Sequence, residues 1–285
     1  MKFTESILRG VGQVMFQNNI YSGLLFLAGI FYNSWVMGLA AVAGTVISTG
    51  MAQILKYQKE DIENGLYGFN GALTGIAVVC FFGVSAGAIV ALFVGAVLST
   101  LVTHYLKKFL PTFTAPFVLV SWAVIYILID VFDFSLLNSP ETLSGRIEPF
   151  SALSKSFGQV MFQDNIITGV VFLLAIFINN KLNAAYAFYA ALLGSITGWL
   201  FLQSNDALNS GLMGYNAILC AIALSGNKRS DFLWITLGIV LSTLLNIGLG
   251  KTGFITLTAP FVAATWIILY LKNLKAAQIK KSSIT

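Results

Sequence analysis

"GQVMFQNNIYSG" occupies residues 12–23, and "GQVMFQDNIITG" occupies residues 158–169, so nine of twelve positions are identical at an offset of 146. Two further pairs of similar stretches keep the same order along the chain. They are "GLYGFNGAL" (65–73) with "GLMGYNAIL" (211–219), and "TFTAPFV" (112–118) with "TLTAPFV" (256–262). Three matches at nearly one offset indicate an internal duplication.

The composition is that of a protein whose main solvent is lipid. Of the 285 residues, 57% are hydrophobic and 9% are charged, whereas about 25% of the residues of a soluble domain are charged. Several apolar runs reach the roughly 20 residues that a membrane crossing needs. We therefore predict an all-α polytopic membrane protein. Its net charge of +5 then reflects membrane topology, and we expect no nucleic-acid partner.

The duplication divides the chain into two membrane repeats, residues 1–140 and 153–285. The linker between them, residues 141–152, overlaps the most polar stretch, "DFSLLNSPETLSGRIEP" (133–149), whose Pro140, Gly145 and Pro149 are typical of a loop. The first residues lack a clear signal-peptide pattern, so we expect no removable leader.

Each repeat begins with an apolar segment that is too short to cross a membrane, at residues 8–16 and around 153–162. We interpret these segments as re-entrant helices. Five longer segments follow; in the first repeat they lie near 20–33, 35–55, 66–84, 86–106 and 114–132. Because five is odd, two consecutive copies have opposite orientations, which predicts an inverted repeat.

The basic residues give an independent test of this topology. With ten crossings and a cytoplasmic amino terminus, only Arg146, Lys155 and Lys251 of the 16 Lys and Arg residues fall outside. This asymmetry is the one that the positive-inside rule expects. We therefore predict that both termini are cytoplasmic.

The duplicated motifs contain amide and aromatic side chains at helical spacing. Gln13 and Phe16 are three residues apart, as are Gln159 and Phe162, so on a helix each pair shares a face. Such a face can stack a flat solute and hydrogen-bond its edge. Alternatively, the phenylalanines pack between helices and the glutamines join helices together. The copying of both pairs favours the binding role.

A second pair of aromatic residues follows glycine in "GFNG" and "GYNA". Here Phe69 and Tyr215 can border a narrow slot, because glycine permits close backbone approach. Leu73 and Leu219 lie one turn further along the same face. The alternative interpretation is that the aromatic residues are membrane-interface anchors.

The "TAPF" motifs fit helix starts, because a first-turn proline loses no intrahelical hydrogen bond. Thr114 and Thr258 can then cap these helices or direct their hydroxyl groups toward a solute, and both roles stay open.

Other reactive side chains give little indication of catalysis. Cys80 and Cys220 lie in apolar runs and are interpreted as buried thiols, and His104 as a juxtamembrane residue rather than a pH sensor. Asp164 is an acid within the repeated stretch, but paired intramembrane carboxylates, catalytic triads and phosphate loops do not stand out. We expect neither an enzyme nor a cofactor or metal site.

The motifs together resemble those of the urea transporter family. "LPTFTAPF" (110–117) matches the family signature L-P-x-x-T-x-P-F, and the "GQVMF" and "G-[FY]-N" stretches resemble the family in matching order. The second copy, "FITLTAPF" (254–261), lacks the leading Leu-Pro. The resemblance covers essentially the whole chain.

The resemblance implies five spans and one re-entrant helix in each repeat, a homotrimer with one pore per protomer, and a bacterial inner-membrane location. It also implies that the threonines face the middle of a selectivity filter. The other filter residues it implies are Gln13, Phe16, Phe69, Gln159, Phe162 and Tyr215.

The expected function is passive, channel-type transport of urea and small amides. Aromatic faces admit a flat neutral molecule, and hydroxyl and carbonyl oxygens accept its N–H groups. The alternatives are an alternating-access carrier of a small neutral amide and a membrane-embedded structural subunit.

Overall fold

The computed structural model describes residues 2–137 and 145–282, which form fourteen α-helices. The helices of the first repeat are α1 (Phe3–Gln13), α2 (Ile20–Asn33), α3 (Trp35–Ile54), α4 (Lys59–Glu63), α5 (Gly68–Phe82), α6 (Ala86–Leu106) and α7 (Ala115–Asp130). Those of the second repeat are α8 (Pro149–Gln159), α9 (Ile166–Asn179), α10 (Lys181–Leu200), α11 (Asn205–Asn209), α12 (Tyr215–Ala223), α13 (Arg229–Gly250) and α14 (Ala259–Ser282).

Five helices of the first repeat fall on the five long apolar stretches, and the fold is all-helical over the described residues. Three segments are long and apolar enough to cross a membrane: α3, α6 and Ser230–Gly250 of α13. Four shorter apolar helices, α2, α5, α7 and α9, accompany them. Many large apolar side chains on these helices are exposed, as a lipid-facing surface requires.

The start of the second repeat differs from its prediction. Pro149 is the first residue of α8 rather than part of a loop, because proline at the first helical position gives up only an N–H that has no intrahelical partner. Of the other two residues interpreted as loop, Gly145 lies in a bend and Pro140 lies outside the described residues. Cys80 and Cys220 are free thiols; Cys220 is buried as predicted, but Cys80 is half-buried.

The repeated motif encodes the corner between the first two helices of each repeat. Asn19 caps α2, its side chain accepting hydrogen bonds from the backbone N–H groups of Tyr21 and Ser22. Asn165 caps α9 in the same way through Thr168. Asparagine is favoured here because its side chain satisfies first-turn donors that have no intrahelical partner.

Helices α2 and α9 join the two repeats through reciprocal hydrogen bonds. The Ser22 hydroxyl donates to the Ala175 carbonyl at 2.7 Å, and the Thr168 hydroxyl donates to the Gly29 carbonyl at 2.9 Å. Each bond is the duplicated counterpart of the other. The contacts that α2 and α9 make with each other are therefore reciprocal.

One further pair of hydrogen bonds crosses between the repeats near the ends of these helices. Asn33 donates to the Gln163 side chain at 2.9 Å, and Asn179 donates to the Gln17 side chain at 2.8 Å. These contacts tie the corner after α1 to α9, and the corner after α8 to α2. The repeats are therefore interlocked.

A second interlock involves the segments that precede α7 and α14. The indole Nε1 of Trp122 donates to the Ile255 carbonyl at 2.7 Å, and that of Trp266 donates to the Pro111 carbonyl at 2.8 Å. Each repeat thus donates a hydrogen bond to the segment that precedes the "TAPF" motif of the other repeat.

Within the first repeat, α3 and α5 pack in near backbone contact. A Cβ atom added at Gly44 would lie 2.1 Å from the carbonyl oxygen of Gly71. This separation is far below a van der Waals contact, so glycine is required at this crossing.

Candidate functional site

Helix α1 ends at Gln13, and the chain then turns through Phe16 with a φ of 60°. The N–H of Phe16 bonds to the Gln13 carbonyl at 3.0 Å, and the N–H of Gln17 bonds to the Gly12 carbonyl at 3.0 Å. This is the Schellman arrangement, in which a left-handed residue closes the helix. Gln13 and Phe16 therefore do not share a helical face, and that prediction was wrong.

The second repeat closes α8 in the same way. Phe162 has a φ of 60°, its N–H bonds to Gln159 at 3.1 Å, and the N–H of Gln163 bonds to Gly158 at 3.0 Å. Because the left-handed region disfavours a bulky L residue by about 1 kcal/mol or more, the repeated phenylalanine is retained at a conformational cost. Strain of this kind concentrates at functional positions.

The two glutamines have different surroundings. Both side chains are half-buried, and Gln13 Nε2 donates to the Asn64 carbonyl at 2.9 Å. For Gln159, no hydrogen bond of the side-chain amide is found within residues 2–137 and 145–282. The amide of Gln159 is therefore free to turn toward a solute, whereas the NH₂ group of Gln13 already donates to Asn64.

The two "TAPF" threonines meet at the contact between the repeats. Thr114 Oγ1 lies 2.6 Å from Thr258 Oγ1, and both side chains are buried. Thr114 occupies the N-cap position of α7 without making a side-chain capping bond. Of its two predicted roles, capping is thus wrong for Thr114, whose hydroxyl faces its duplicate instead.

Two asparagines that sequence reasoning did not select as site residues position the threonines. The first-turn N–H of Phe117 bonds to Asn70 Oδ1 at 3.1 Å, and that of Phe261 bonds to Asn216 Oδ1 at 3.1 Å. Each asparagine follows the predicted slot aromatic in the repeated "GFN" and "GYN" motifs, and this repetition was the available signal. The asparagines thereby connect α5 to α7 and α12 to α14.

Aromatic rings cross between the repeats around the threonine pair. The rings of Phe16 and Phe261 have centroids 5.9 Å apart, and those of Phe162 and Phe117 have centroids 6.2 Å apart; both pairs are edge-to-face. Phe113 joins the first cluster, 5.9 Å from Phe16. Phe16 and Phe162 therefore each pack against a "TAPF" phenylalanine of the other repeat.

A cavity of about 120 Å³ lies on the first-repeat side of this cluster. Gln13, Phe16 and Phe69 line it, as do Phe113 and Lys107. No ring contact between Phe16 and Phe69 is found in the part of the chain that the structure describes. The two rings border one space without touching, which leaves room for a small molecule.

A second cavity of about 300 Å³ lies on the second-repeat side. Tyr215, Thr256, Asn246 and Lys251 are among its lining residues, whereas Gln159 and Phe162 are not. The sequence-predicted residues of the second repeat are thus only partly brought together.

Leu73 and Leu219 were predicted to extend the faces of Phe69 and Tyr215. Both leucines are fully buried in the same apolar core as Val11 and Ile218. Neither lines the first or the second cavity. Their observed contacts are those of packing residues between the helices.

Charged and aromatic residues surround the mouth of the first cavity. Lys107 forms an ion pair with Asp61, and the His104 ring stacks on Tyr57 with centroids 3.7 Å apart. His104 Nδ1 is also 3.2 Å from the hydroxyl of Tyr67, a cavity residue. His104 is therefore connected to the cavity wall.

Asp164, the acid of the repeated stretch, lies away from both cavities. Its carboxylate forms an ion pair with Lys155 at 2.8 Å and is about half exposed. In the first repeat Arg9 donates to the side chain of Asn18 at the corresponding place. The Lys155–Asp164 ion pair is thus the second-repeat equivalent of the Arg9–Asn18 hydrogen bond, with Asp164 in place of the asparagine.

Comparison with known proteins gives one consistent result. A family model described as "Urea transporter" matches residues 4–273. The chain is 32% identical over 250 residues to "Urea transporter 1" of Rattus norvegicus and 32% identical over 251 residues to that of Mus musculus. It is 30% identical over 251 residues to "Urea transporter 1" of Ovis aries. These alignments cover 79% of this chain and 64% of each relative, so the chain spans slightly less than two thirds of their length.

Proposed function

This chain belongs to the urea transporter family, and on that premise we propose that it is a passive channel for urea and small amide analogues, and not an enzyme. The proposed path runs from the first cavity, past the threonine pair, to the second cavity. Its proposed filter residues are Gln13, Phe16, Phe69, Thr114, Gln159, Phe162, Tyr215 and Thr258, whereas Leu73 and Leu219, which line neither cavity, are packing residues.

The observation that carries the proposal is the hydroxyl pair of Thr114 and Thr258, 2.6 Å apart. Neighbours of the two threonines in sequence line the cavities: Phe113 lines the first and Thr256 lines the second. Each hydroxyl has one proton and two acceptor lone pairs. A urea molecule can therefore replace the mutual bond by donating its N–H groups to the same oxygens. The exchange substitutes one hydrogen bond for another, so it leaves no buried hydroxyl without a partner.

The aromatic surroundings suit a flat neutral molecule. The rings of Phe16 and Phe261 on one side, and of Phe162 and Phe117 on the other, offer apolar surface that accommodates a planar solute. An ion at this place would lose its hydration without gaining a counter-charge, at a cost of several kcal/mol. Lys251 at the second cavity adds repulsion against cations, whereas Lys107 at the first cavity is already paired with Asp61.

The interlocked repeats support a channel over an alternating-access carrier. Rocking one repeat against the other would break the indole bonds of Trp122 and Trp266 to the opposite "TAPF" segments. It would also separate the reciprocal α2 and α9 contacts. Conduction through several weak sites requires no such motion.

We further propose that the two-fold axis relating the repeats lies in the membrane plane, so that the repeats are inverted. Each repeat then supplies five spans and one short re-entrant helix. The predicted linker of residues 141–152 is shortened to 141–148, because α8 begins at Pro149, and we place it on the extracytoplasmic side. Both termini are cytoplasmic in this arrangement, as the basic residues predict. The proposed assembly is a homotrimer in a bacterial inner membrane, with one path per protomer.

The test is stopped-flow light scattering on proteoliposomes under an inward urea gradient. Native protein is compared with Thr114→Val and Phe16→Ala, and with Thr236→Val as a matched control, because Thr236 bonds to its own helix and to Tyr189 outside both cavities. We expect fast, non-saturating urea entry that Thr236→Val retains, that Thr114→Val slows about fivefold, and that Phe16→Ala loses.

Two outcomes would contradict the proposal in different ways. A stoichiometric requirement for Na⁺ or H⁺, or stimulation of uptake by urea on the opposite side, would indicate a coupled or alternating carrier. Urea entry at the background level of empty vesicles would indicate a protein without transport activity toward urea.

A further inference from the structure

The two ends of the proposed path differ at one backbone carbonyl. Phe113 and Leu257 are duplicated counterparts; each immediately precedes a central threonine and each has a positive φ, 45° and 46° respectively. This conformation removes both residues from the helices that follow. The carbonyl groups of Phe113 and Leu257 are therefore potential acceptors for a solute N–H on opposite sides of the threonine pair.

In the second repeat this acceptor is already occupied. The Tyr215 hydroxyl donates to the Leu257 carbonyl oxygen at 2.6 Å, and Asn216 Nδ2 donates to the same oxygen at 3.3 Å. A carbonyl oxygen has two lone pairs, and both now have donors. The Tyr215 oxygen is also 3.1 Å from the Thr256 hydroxyl, which can donate to it and keep it in place.

In the first repeat the same acceptor has no donor. Phe69 stands where Tyr215 stands and has no hydroxyl, while Asn70 Nδ2 donates to Thr103 Oγ1 at 3.3 Å. No hydrogen bond to the Phe113 carbonyl is found within residues 2–137 and 145–282. Phe113 lines the first cavity, so the residue that carries this free acceptor borders the space that a solute enters.

From this difference we infer that Tyr215 masks the Leu257 carbonyl, so that the filter binds N–H donors more tightly at its first-repeat end than at its second-repeat end. The inference rests on the proposed urea path, and it assigns to Tyr215 a role in determining which end holds the solute. One net hydrogen bond corresponds to about a fivefold difference in occupancy.

The experiment uses selenourea, a planar analogue with the same N–H donors whose selenium can be located by anomalous scattering in crystals of the full chain. In native protein we expect an anomalous peak near Phe113 about five times higher than the peak near Leu257. Tyr215→Phe unmasks the second carbonyl and brings the ratio of the two peaks close to one.

Two variants distinguish masking from a merely structural role of the hydroxyl. Phe69→Tyr adds a hydroxyl beside Phe113 and is expected to lower the first peak about fivefold. Tyr189→Phe removes a hydroxyl that bonds to Thr236 at 3.1 Å, away from both cavities, and leaves the ratio unchanged. General loosening of the protein would alter both peaks together in every variant.

The outcomes separate this inference from the proposed function. Equal peaks in native protein, or an unchanged ratio in Tyr215→Phe, would overturn the masking role even if urea flux through proteoliposomes is fast. Background urea flux in the native protein would overturn the proposed function, whatever the peak heights are.

Discussion

Replacing one or both central threonines by valine separates their structural from their transport role. The hydroxyl groups of Thr114 and Thr258 are buried and 2.6 Å apart. A single Thr→Val change leaves the partner hydroxyl buried without its hydrogen bond, at a cost of about 1.5 kcal/mol. The double change removes both hydroxyls with little change of shape, and we expect it to cost only about 0.5 kcal/mol.

Thermal unfolding in detergent measures the stability of the two single variants and the double variant. At about 3 °C per kcal/mol, each single variant melts roughly 4 to 5 °C lower than native protein, and the double variant only about 1 to 2 °C lower. Thr114→Ser keeps the hydroxyl and serves as the control. A double variant whose loss equals the sum of the two single losses would refute the hydrogen-bonded pair, because independent groups have additive effects.

Urea flux through the same three variants is expected to follow a different order from their stability. Each lost hydroxyl removes one acceptor for the solute, so each single variant conducts about fivefold less urea. The double variant, although it regains stability, conducts least. Recovery of flux together with stability would refute the idea that these hydroxyls serve the solute.

Three further substitutions test the packing and the backbone. Gly44→Ala forces a Cβ atom to 2.1 Å from a backbone oxygen of α5, so we expect it to lower the free energy of unfolding by about 3 kcal/mol or more, the upper range for overpacking. Gly50→Ala is its control, because a Cβ atom there would have no neighbour within 4 Å; it should leave the melting temperature unchanged or raise it. Phe16→Gly relieves a left-handed φ of 60°, so it should melt above Phe16→Ala while both lose urea flux. Trp122→Phe leaves the Ile255 carbonyl without its 2.7 Å donor; we expect a loss of about 1 kcal/mol, seen as a melting temperature lower by about 3 °C.

The positions of the helices were predictable because the apolar runs and the repeated polar corners mark where each helix lies. The repetition also singled out Thr114 and Thr258, which the structure brings into contact. The end of α1 was not predictable from residue type. Helices usually close on a left-handed glycine, and here Phe16 takes that conformation because Gln17 and the opposite repeat hold the corner.

Contacts between the repeats could not be predicted because they depend on how two distant surfaces meet. Nothing in the neighbourhood of Trp122 indicates that its indole reaches Ile255. In the same way, His104 resembled an isolated residue at a helix end, although its ring stacks on Tyr57. Sequence pattern identified the residues that are duplicated, but it did not identify their partners.

The reciprocal bonds between the repeats have a consequence for how the chain is made. The carbonyl groups of Gly29 and Pro111 are synthesised well before their donors, Thr168 and Trp266. During translation the first repeat therefore carries acceptors whose partners have not yet been added. Until the second repeat is made, these carbonyl groups are accessible to lipid, water or chaperones.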